Sequence, residues 1–534
     1  MNYAINDRTL ITELCNKIPS TVQAKYEELK TELKEKKLEL PKNFTHPLDE
    51  EIIGKDGELA KLLSEQDTAI SYSKAGELDH LWRSLLDKSI VCLRYFDTRE
   101  PFLENSNKVI VAYGIDKLEE YHRRYTEFES LMYGSNAHYR DHVFHAIRVW
   151  MLGVFCLLTD FNKDQKIFIN KLRLDGGATT PDKIGFFEYI SMWTIIALCH
   201  DLGYPLEKAE QILEKTRKMM REFVPSPNVW NNFGYSGTQD NINEYILKFI
   251  STKMKEKPIT GERGEPEEAD EETSGKTAKP EKMEYLGRIQ PKYYLKYAKS
   301  LEGFQHGIIS TIIVYKMLLY FLESDFNLND DYIYKKEDAR QFYIRREILR
   351  AIAAHTCPDA YNIHLTTFSS LLFLCDEFQE WGRRTWNELY TGLNENSISL
   401  EIEKISPGEV VIKETLNMDS VKDTEIIVQN ISRVFERQYS LYKITFRDGQ
   451  YTAKRDFTLS KTMEFVLPKN GAENRTLILT YRLPEKEASC FIVDLSNVGE
   501  EEEKYKTKIQ EKLSKQMYYS ELSFTSNQDA AGSA

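Results

Sequence analysis

The sequence lacks paired cysteines, long apolar runs and an excess of positive charge. Its seven cysteines are scattered without a CxxC pair, and Cys156, Cys199 and Cys375 lie in apolar runs, which predicts buried thiols in a reducing cytoplasm. No apolar run reaches the length of a membrane span, and the first residues, MNYAINDRTL, lack a secretory pattern, so we expect neither membrane insertion nor secretion. A net charge of −13 argues against a general nucleic-acid coat, although it is compatible with a local basic channel.

Length and composition predict a globular protein of two or three domains, and the residue patterns described below predict that it is mainly α. Hydrophobic residues make up 41% of the 534 residues and aromatic residues 12%, which suffices for a core in each domain. We predict a helical amino-terminal extension at residues 1–126, a central helical domain at 127–396 and a carboxy-terminal α+β domain at 397–534. Within the central domain, residues 252–282 carry almost no apolar side chains and predict a disordered surface insertion.

The two flanking regions show no evident catalytic set. In the extension, a Lys/Glu-rich run at 25–40 predicts a solvated or partner-binding helix. The apolar spacing at 78–96 predicts an amphipathic helix packed on the central domain. In the carboxy-terminal region, β-branched segments predict a mainly antiparallel sheet, with helices at 422–439 and 501–517 and a hairpin turn at 447–450. Partner binding, oligomerisation and a purely structural cap are all compatible with this region.

The central domain contains a histidine and an aspartate at the end of an apolar helical stretch, SMWTIIALCHDLGYP. Trp193, Ile196 and Ala197 share a helical face with His200, so this face should be buried. A buried imidazole beside the carboxylate of Asp201 needs a partner, and a metal ion would serve as one because histidine and aspartate are both metal ligands. The simpler interpretation is a capping aspartate and a histidine that donates to a backbone carbonyl.

Further candidate ligands lie on apolar helical faces elsewhere in this domain. His145 is followed by Val149, Leu152 and Cys156 at helical spacing. Similar placements are found for three more residues: His306, His355 and Asp376. Titrating side chains are disfavoured on such faces, and one alone is more often a satisfied core residue. Five placements in the order His, His-Asp, His, His, Asp favour a metal site. We expect the nearby His138 to be exposed.

The ordered set resembles the HD-domain metal-dependent phosphohydrolase superfamily. HAIRVWMLG, which starts at His145, resembles the first-histidine helix, and ALCHDLGYP carries the defining pair. AAHT and LFLCDEFQEWGR resemble the later histidine and closing aspartate segments. The resemblance spans about half of the chain and implies an HD-type helical bundle with a metal site in its core.

The resemblance also implies how the ligands are divided. In members with two metals, one ion is held by the residues that match His145, His200, Asp201 and Asp376. The residue that matches Asp201 bridges to a second ion, which those matching His306 and His355 complete. The presence of these two histidines favours two ions, and a single ion at the first position is the alternative. Such ligands suit Mn, Fe, Co, Ni or Zn.

The expected chemistry is cleavage of a phosphate ester. Two cations would lower the pKa of a shared water to give hydroxide, which attacks phosphorus in line. Arg140, Arg383 and Arg384 are candidate phosphate clamps, with a surface or structural ion pair as the alternative for each. His142 is a candidate proton donor to the leaving oxygen, although an exposed imidazole is an equal alternative.

Two departures leave the substrate open. Several HD members, including the HD-GYP phosphodiesterases, carry a lysine where this chain has Tyr204. In the loosely similar eukaryotic cyclic-nucleotide phosphodiesterases, a catalytic histidine lies four residues before the first ligand, where this chain has Asp141. Three hypotheses result: a phosphohydrolase acting on a nucleotide or cyclic nucleotide, a nuclease acting on single-stranded nucleic acid, and a non-catalytic scaffold or binding protein.

Overall fold

The structure, a computed structural model, describes most of the amino-terminal and central regions and the strands of the carboxy-terminal region. The described residues are 3–63, 69–98, 100–103, 106–135, 140–158, 184–222, 238–258, 283–324, 326, 332–357, 367–383, 398–406, 409–417, 458–467, 475–483, 491–494, 507, 511 and 522–525.

These residues are mainly helical, as predicted. The α-helices are α1 (Asp7–Asn16), α2 (Ile18–Glu35), α3 (Glu50–Ile53), α4 (Ala75–Thr98), α5 (Ile115–Ser135), α6 (Val143–Leu158), α7 (Phe186–Cys199), α8 (Tyr204–Arg221), α9 (Thr238–Ser251), α10 (Pro291–Glu302), α11 (His306–Met317), α12 (Leu319–Leu322), α13 (Lys336–Ala354) and α14 (Phe368–Phe378). The strands are β1 (Tyr3–Ile5), β2 (Thr252–Pro258), β3 (Met283–Ile289), β4 (Ile333–Tyr334), β5 (Ile398–Ser406), β6 (Glu409–Asn417), β7 (Thr458–Leu467), β8 (Arg475–Leu483), β9 (Phe491–Asp494) and β10 (Leu522–Thr525). Among the helices described here, none is both long and apolar enough to cross a lipid bilayer.

Helix α7 lies at the centre of the helical region. Its residues from Ile190 to Cys199 are all buried. Because a helix that is apolar on every side must be covered by neighbours, α4, α6, α13 and α14 pack around it. The closest approach is at Gly153 of α6, where a Cβ atom would lie 2.0 Å from the ring of Trp193. Glycine therefore allows α6 and α7 to pack closely enough for their functional ends to meet.

The predicted amphipathic helix at 78–96 is confirmed as α4, and it packs on α7 as expected. Its apolar residues at helical spacing are buried, and the indole N–H of Trp82 donates to the carbonyl of Leu198 at 3.1 Å. This bond joins the amino-terminal extension to the last turn of α7. The Lys/Glu-rich run is also helical as far as Glu35.

A seven-stranded sheet contains all the described strands of the carboxy-terminal region, β5 to β10, together with β1. Its order is β1-β5-β6-β7-β8-β9-β10, and all neighbours are antiparallel except β6–β7 and β9–β10. The mainly antiparallel sheet was predicted, but its first strand was not. Tyr3 pairs with Ile402 and Ile5 with Leu400, so the start of the chain joins the carboxy-terminal sheet. The predicted helix at 422–439 and turn at 447–450 lie outside the described residues, as do all but two residues of 501–517.

The predicted disorder from residue 252 is wrong for the first part of that segment. Thr252–Pro258 form β2, which pairs antiparallel with β3 from Thr252↔Ile289 to Pro258↔Met283. The strand is stable because Met254 is buried and because Arg346 donates to the carbonyl of Thr252 at 2.9 Å. Residues 259–282 lie outside the described part of the chain.

Six cysteines within the described ranges are buried and free of disulfides. They include Cys156, Cys199 and Cys375, whose burial was predicted. Burial raises the pKa of the Cys199 thiol far above its usual value, so this thiol stays protonated and has little nucleophilic character.

Replacing His46 by asparagine is expected to reduce the acid sensitivity of the fold. Burial lowers the pKa of His46 from 6.5 to about 4, and Asp49 only partly offsets this effect, while Lys88 adds to it. The unfolded chain therefore binds the proton more tightly, so stability from this group is complete above about pH 6.5 and is lost as the pH falls towards 4. At about 1.4 kcal/mol per pKa unit the full loss is about 3 kcal/mol.

The measurement is the free energy of unfolding by denaturant between pH 4 and 7 for wild type and His46→Asn. The asparagine Oδ1 can accept the bond that His46 Nδ1 now accepts from the Leu48 amide at 3.2 Å. We expect the wild type to lose more stability than the variant over this range. Equal losses would show that His46 is not a source of acid sensitivity.

Candidate metal centre

Six side chains from five places in the chain meet at the inner ends of the helices. His145 lies in the first turn of α6, His200 follows α7 directly, His306 begins α11, His355 follows α13, and Asp376 lies in the last turn of α14. Asp201 follows His200 and completes the cluster. All six were predicted as metal ligands, and the structure brings all six together.

The two carboxylate oxygens of Asp201 face different histidines. Oδ2 lies 3.1 Å from Nε2 of His200 and 3.8 Å from Nε2 of His145. Oδ1 lies 3.2 Å from Nε2 of His306 and 3.5 Å from Nε2 of His355. Asp201 therefore stands between two pairs of imidazoles, with one oxygen directed to each pair.

The second aspartate belongs to one of these pairs. Oδ1 of Asp376 lies 2.8 Å from Nε2 of His145 and 3.9 Å from Nε2 of His200. Ligand atoms of His145, His200 and Asp376 lie within 4.8 Å of one another, and so do those of His200, Asp201 and His355. Each group offers the number and type of ligand that a transition-metal ion takes from a protein.

Every ring presents the same nitrogen to the cluster. The Nδ1 atoms of His200 and His355 lie 2.8 Å and 2.6 Å from the carbonyls of Ala197 and Ile352. A carbonyl can only accept, so Nδ1 of both rings carries the proton and Nε2 has a free lone pair. The bond of His200 is the one that the simpler interpretation of the sequence expected, but both bonds orient their rings towards the cluster.

The other two rings are oriented by side chains that the sequence analysis missed. Nδ1 of His145 lies 2.5 Å from Oε1 of Gln379, and Nδ1 of His306 lies 2.6 Å from Oε2 of Glu207. Gln379 follows Asp376 by three residues, which is the helical spacing that could have drawn attention to it. Glu207 resembles any acidic residue in the first turn of a helix, so the sequence alone gave no signal for its role.

The arrangement of lone pairs provides a test of whether a cation fits. The Nε2 atoms of His200 and His355 are buried and form no hydrogen bond within the described residues. Unpaired buried nitrogens are costly, and here they face carboxylate oxygens at 3.1 and 3.5 Å. Two lone pairs at this separation repel unless a positive charge lies between them. These groups could hold a metal ion.

The pKa values of the histidines also indicate that the cluster attracts positive charge. Burial lowers the pKa of His306, but hydrogen bonds to Asp201 and Glu207 outweigh burial and raise the pKa to about 9. The pKa of His200 is raised in the same way, because the charge of Asp201 outweighs burial. For His355 burial is larger than the attraction of Asp201 and the pKa is lowered. The cluster thus attracts positive charge, whether a proton or a metal ion.

The carboxylates of the cluster are held ionised. Burial alone would raise the pKa of Asp201, but the electrostatic attraction of His200 and the imidazoles around it brings it well below its usual value. The pKa of Asp376 falls for the same reason, through His145 and His200. Hydrogen bonds from His306 and Lys208 outweigh the burial of Glu207 and lower its pKa to about 2. Three anionic groups therefore lie at or next to the cluster at neutral pH.

A close approach of two chain segments places His306 beside Asp201. A Cβ atom on Gly203 would lie 2.4 Å from the carbonyl of His306 and 2.8 Å from the amide of Ser310. The amide of Gly203 also donates to the hydroxyl of Ser310 at 2.8 Å. The glycine that follows the His-Asp pair is thus needed to bring α11 close enough to contribute a ligand.

The predicted phosphate clamps differ in their surroundings. Arg140 forms an ion pair with buried Glu380, which corresponds to the structural alternative. Nε of Arg383 donates to the carbonyl of Asp141 at 3.3 Å, and no other hydrogen bond of this side chain is found within the described ranges. Burial lowers the pKa of Arg383, but the carboxylates of Glu380 and Asp141, followed by those of Asp376 and Asp201, raise it. Arg383 is therefore a cation next to the cluster, whereas Arg384 lies outside the described residues.

His142 lies beside the cluster, with 6.3 Å between its ring centroid and that of His145. Its ring stacks on Tyr204 with 3.8 Å between the centroids, and its Nδ1 lies 3.5 Å from Oε1 of Glu129. Burial holds its pKa well below the usual value, so the ring is neutral. Its burial rules out the exposed alternative, while His138 lies outside the described residues.

Comparison of the chain with protein-family models, with curated proteins and with solved structures gives no match. The geometry of the cluster therefore has to be interpreted on its own, as a buried histidine–aspartate centre fit for a metal ion.

Proposed function

We propose that this protein is a metal-dependent phosphohydrolase that cleaves a phosphoester of a nucleotide or cyclic nucleotide, and that its helical region is an HD-type bundle. The main support for the proposal is that the two carboxylate oxygens of Asp201 face different pairs of histidines. Oδ2 faces His145 and His200, while Oδ1 faces His306 and His355. A carboxylate placed in this way suits the bridge between two metal ions.

The proposed ligand sets follow from these distances. His145, His200, Asp201 and Asp376 would hold one ion, and Asp201, His306 and His355 would hold the other. Imidazoles with one shared hard carboxylate suit Mn, Fe, Co, Ni or Zn. When bound, such ions lower the pKa of a coordinated water and withdraw charge from phosphoryl oxygens.

The protein's own contribution is orientation. Backbone carbonyls and the side chains of Gln379 and Glu207 fix the rings so that every Nε2 faces the cluster, as second-shell partners do in metal enzymes. Arg383 supplies a fork of donors beside the carboxylates, and its terminal nitrogens suit phosphoryl oxygens. The predicted proton-donor role of His142 has less support, because a neutral ring stacked on Tyr204 is better placed to support packing.

The proposed substrate class rests on charge and on the resemblance to HD enzymes. A net charge of −13 disfavours a long polyanion, which needs an extended basic surface, and leaves a small phosphorylated molecule as the better fit. The reduced thiols agree with the predicted cytoplasmic setting. A protein partner or self-association through residues 397–534 stays a prediction.

Metal analysis of the purified protein, followed by a substrate screen, tests the proposal. We expect up to two transition-metal ions per chain and turnover of a generic bis-phosphodiester, followed by turnover of nucleotides in preference to single-stranded DNA. His200→Ala should lose metal and turnover together. A protein that takes up no transition metal, and whose stability is unchanged in His200→Ala, would contradict the proposal and leave a helical scaffold. Preference for single-stranded DNA would instead favour a nuclease.

Replacing Arg383 by alanine is expected to lower kcat/KM by about 100-fold, as the loss of one transition-state donor does in other enzymes. The metal content should stay at the wild-type value, because Arg383 lies beside the ligands and is not one of them. Arg124→Ala is the control, since Arg124 is exposed and its ion-pair partner among the described residues is Glu120. A loss of metal in Arg383→Ala, or wild-type kinetics, would show that the side chain does not hold the substrate.

A further inference from the structure

We propose that Asp7 is a positioning residue for the metal ligand His145, to which it is linked by hydrogen bonds through Trp381 and Gln379. This inference rests on the proposed function, because it concerns the affinity of the first metal position. It assigns the amino-terminal segment a role that the sequence analysis did not foresee, since the extension showed no evident chemistry.

The link starts at the amide of Gln379. Its Oε1 accepts from Nδ1 of His145 at 2.5 Å, and its Nε2 donates to the main-chain carbonyl of Trp381 at 2.6 Å. A carbonyl can only accept, so the carbonyl of Trp381 decides which end of the amide faces His145. With the amide oxygen facing the ring, the proton stays on Nδ1 and Nε2 is free to bind a metal.

Asp7 determines where Trp381 lies. The indole N–H of Trp381 donates to Oδ1 of Asp7 at 2.8 Å. Asp7 is fully buried, and its Oδ2 also accepts from the amide of Ile70 at 2.8 Å. Because its oxygens are held from several directions, the carboxylate is a fixed anchor, and the segment that follows α14 is attached to it.

Arg148, which lies on the same helix as His145, connects Asp7 to the segment that follows α14. Arg148 donates from Nε and Nη2 to Asp7 at 3.0 Å each and from Nη1 to the carbonyl of Gly382 at 3.2 Å. Gly382 has φ +70°, and a Cβ atom on it would lie 2.7 Å from Nη2 of Arg148. Residues 381 and 382 are therefore clamped between α6 and the start of α1.

The position of Asp7 in the chain connects the link to the carboxy-terminal sheet. Asp7 follows β1 after a single residue, and β1 pairs with β5 of the carboxy-terminal sheet. The proposed metal ligand His145 is thus joined to Asp7 by hydrogen bonds through Gln379 and Trp381, and Asp7 is joined to β1 by the main chain. A change in the position of β1 would be transmitted to the carbonyl of Trp381 and from there to the ring of His145.

The test measures binding of Co²⁺ to the full chain by calorimetric titration. Trp381→Phe removes the indole hydrogen bond together with part of the buried ring, and it leaves both partners of the pair of Asp7 with Arg148 in place. We expect this variant, like Asp7→Asn, to bind one of the two Co²⁺ ions 10- to 100-fold more weakly, which is the usual effect of losing a second-shell partner. The affinity for the other ion should stay unchanged, and the effects of the two substitutions should not add.

Trp150→Phe is the matched control. Trp150 is a buried tryptophan of α6 whose indole N–H donates to the hydroxyl of Thr194 at 3.0 Å, so its variant loses a comparable bond away from the link. Wild-type Co²⁺ affinity in Trp381→Phe, or an equal loss in Trp150→Phe, would overturn the inference. Wild-type affinity in Trp381→Phe would leave the proposed function intact and contradict this inference alone. If the wild type itself bound no Co²⁺, both the proposed function and this inference would be wrong.

Discussion

Alanine in place of Asp201 is expected to remove both metal ions and to lower phosphoester hydrolysis by more than about 100-fold, which exceeds the usual effect of losing a residue that only orients a metal ligand. The reason is geometric: each oxygen of this carboxylate faces its own pair of imidazoles, at 3.1 and 3.8 Å on one side and 3.2 and 3.5 Å on the other. No other carboxylate oxygen is found within 4.0 Å of Nε2 of His306 or His355 in the described residues. Metal content by mass spectrometry and hydrolysis of a generic bis-phosphodiester measure the two effects.

Asp376→Ala provides the comparison that makes this result specific. Asp376 lies 2.8 Å from His145 and 3.9 Å from His200, so its loss should affect one metal position and leave Asp201, His306 and His355 able to hold the other ion. We expect one ion per chain in Asp376→Ala and none in Asp201→Ala. Equal metal contents in the two variants would show that Asp201 does not bridge.

Helical periodicity was sufficient to find five of the six residues of the cluster because each of them lies where a polar residue is unusual, and Asp201 was found as the neighbour of His200. His145, His200, His306, His355 and Asp376 all share a face with core residues, and a face of this kind is buried in any compact helical fold. The number of such positions predicted that these side chains meet in one cluster. Periodicity does not predict the distances between them or which ring nitrogen of each histidine faces the cluster. The bridging position of Asp201 could be expected only from the resemblance to HD enzymes.

The residues that the sequence did not reveal act through contacts that are distant in the chain. Gln379 accepts from His145, 234 positions away, and Asp7 accepts from Trp381, 374 positions away. The spacing of Gln379 from Asp376 is a weak local signal and Asp7 has none, because a polar residue near a helix end has many local uses. The same holds for β1, a three-residue strand whose partner, β5, lies near position 400. Local periodicity identifies which face of a helix is buried, whereas contacts between distant residues depend on how the helices and strands pack together.

Replacing Arg345 by methionine is expected to lower the free energy of unfolding by about 3–5 kcal/mol, the usual cost of removing one partner of a buried ion pair. Arg345 is 1% exposed; its Nη2 donates to Oδ2 of Asp97 at 2.9 Å, and its Nε donates to the carbonyl of Tyr320 at 2.6 Å. Its guanidinium also lies 4.1 Å from the centroid of the Tyr320 ring. The substitution leaves the charge of Asp97 in an apolar setting, where burial raises the pKa of this carboxyl, and denaturant unfolding measures the loss.

The double variant Arg345→Met with Asp97→Leu decides whether the cost comes from the unpaired charge or from packing. If the charge dominates, removing both partners should restore most of the lost stability, because a buried pair can often be replaced by apolar side chains without net loss. A double variant as unstable as the single one would instead assign the cost to the contacts of Arg345 with Tyr320. Metal content should be unchanged in both variants, because this pair joins α4 to α13 through side chains outside the cluster. Loss of metal in either variant would show that the bundle and its metal centre unfold as a unit.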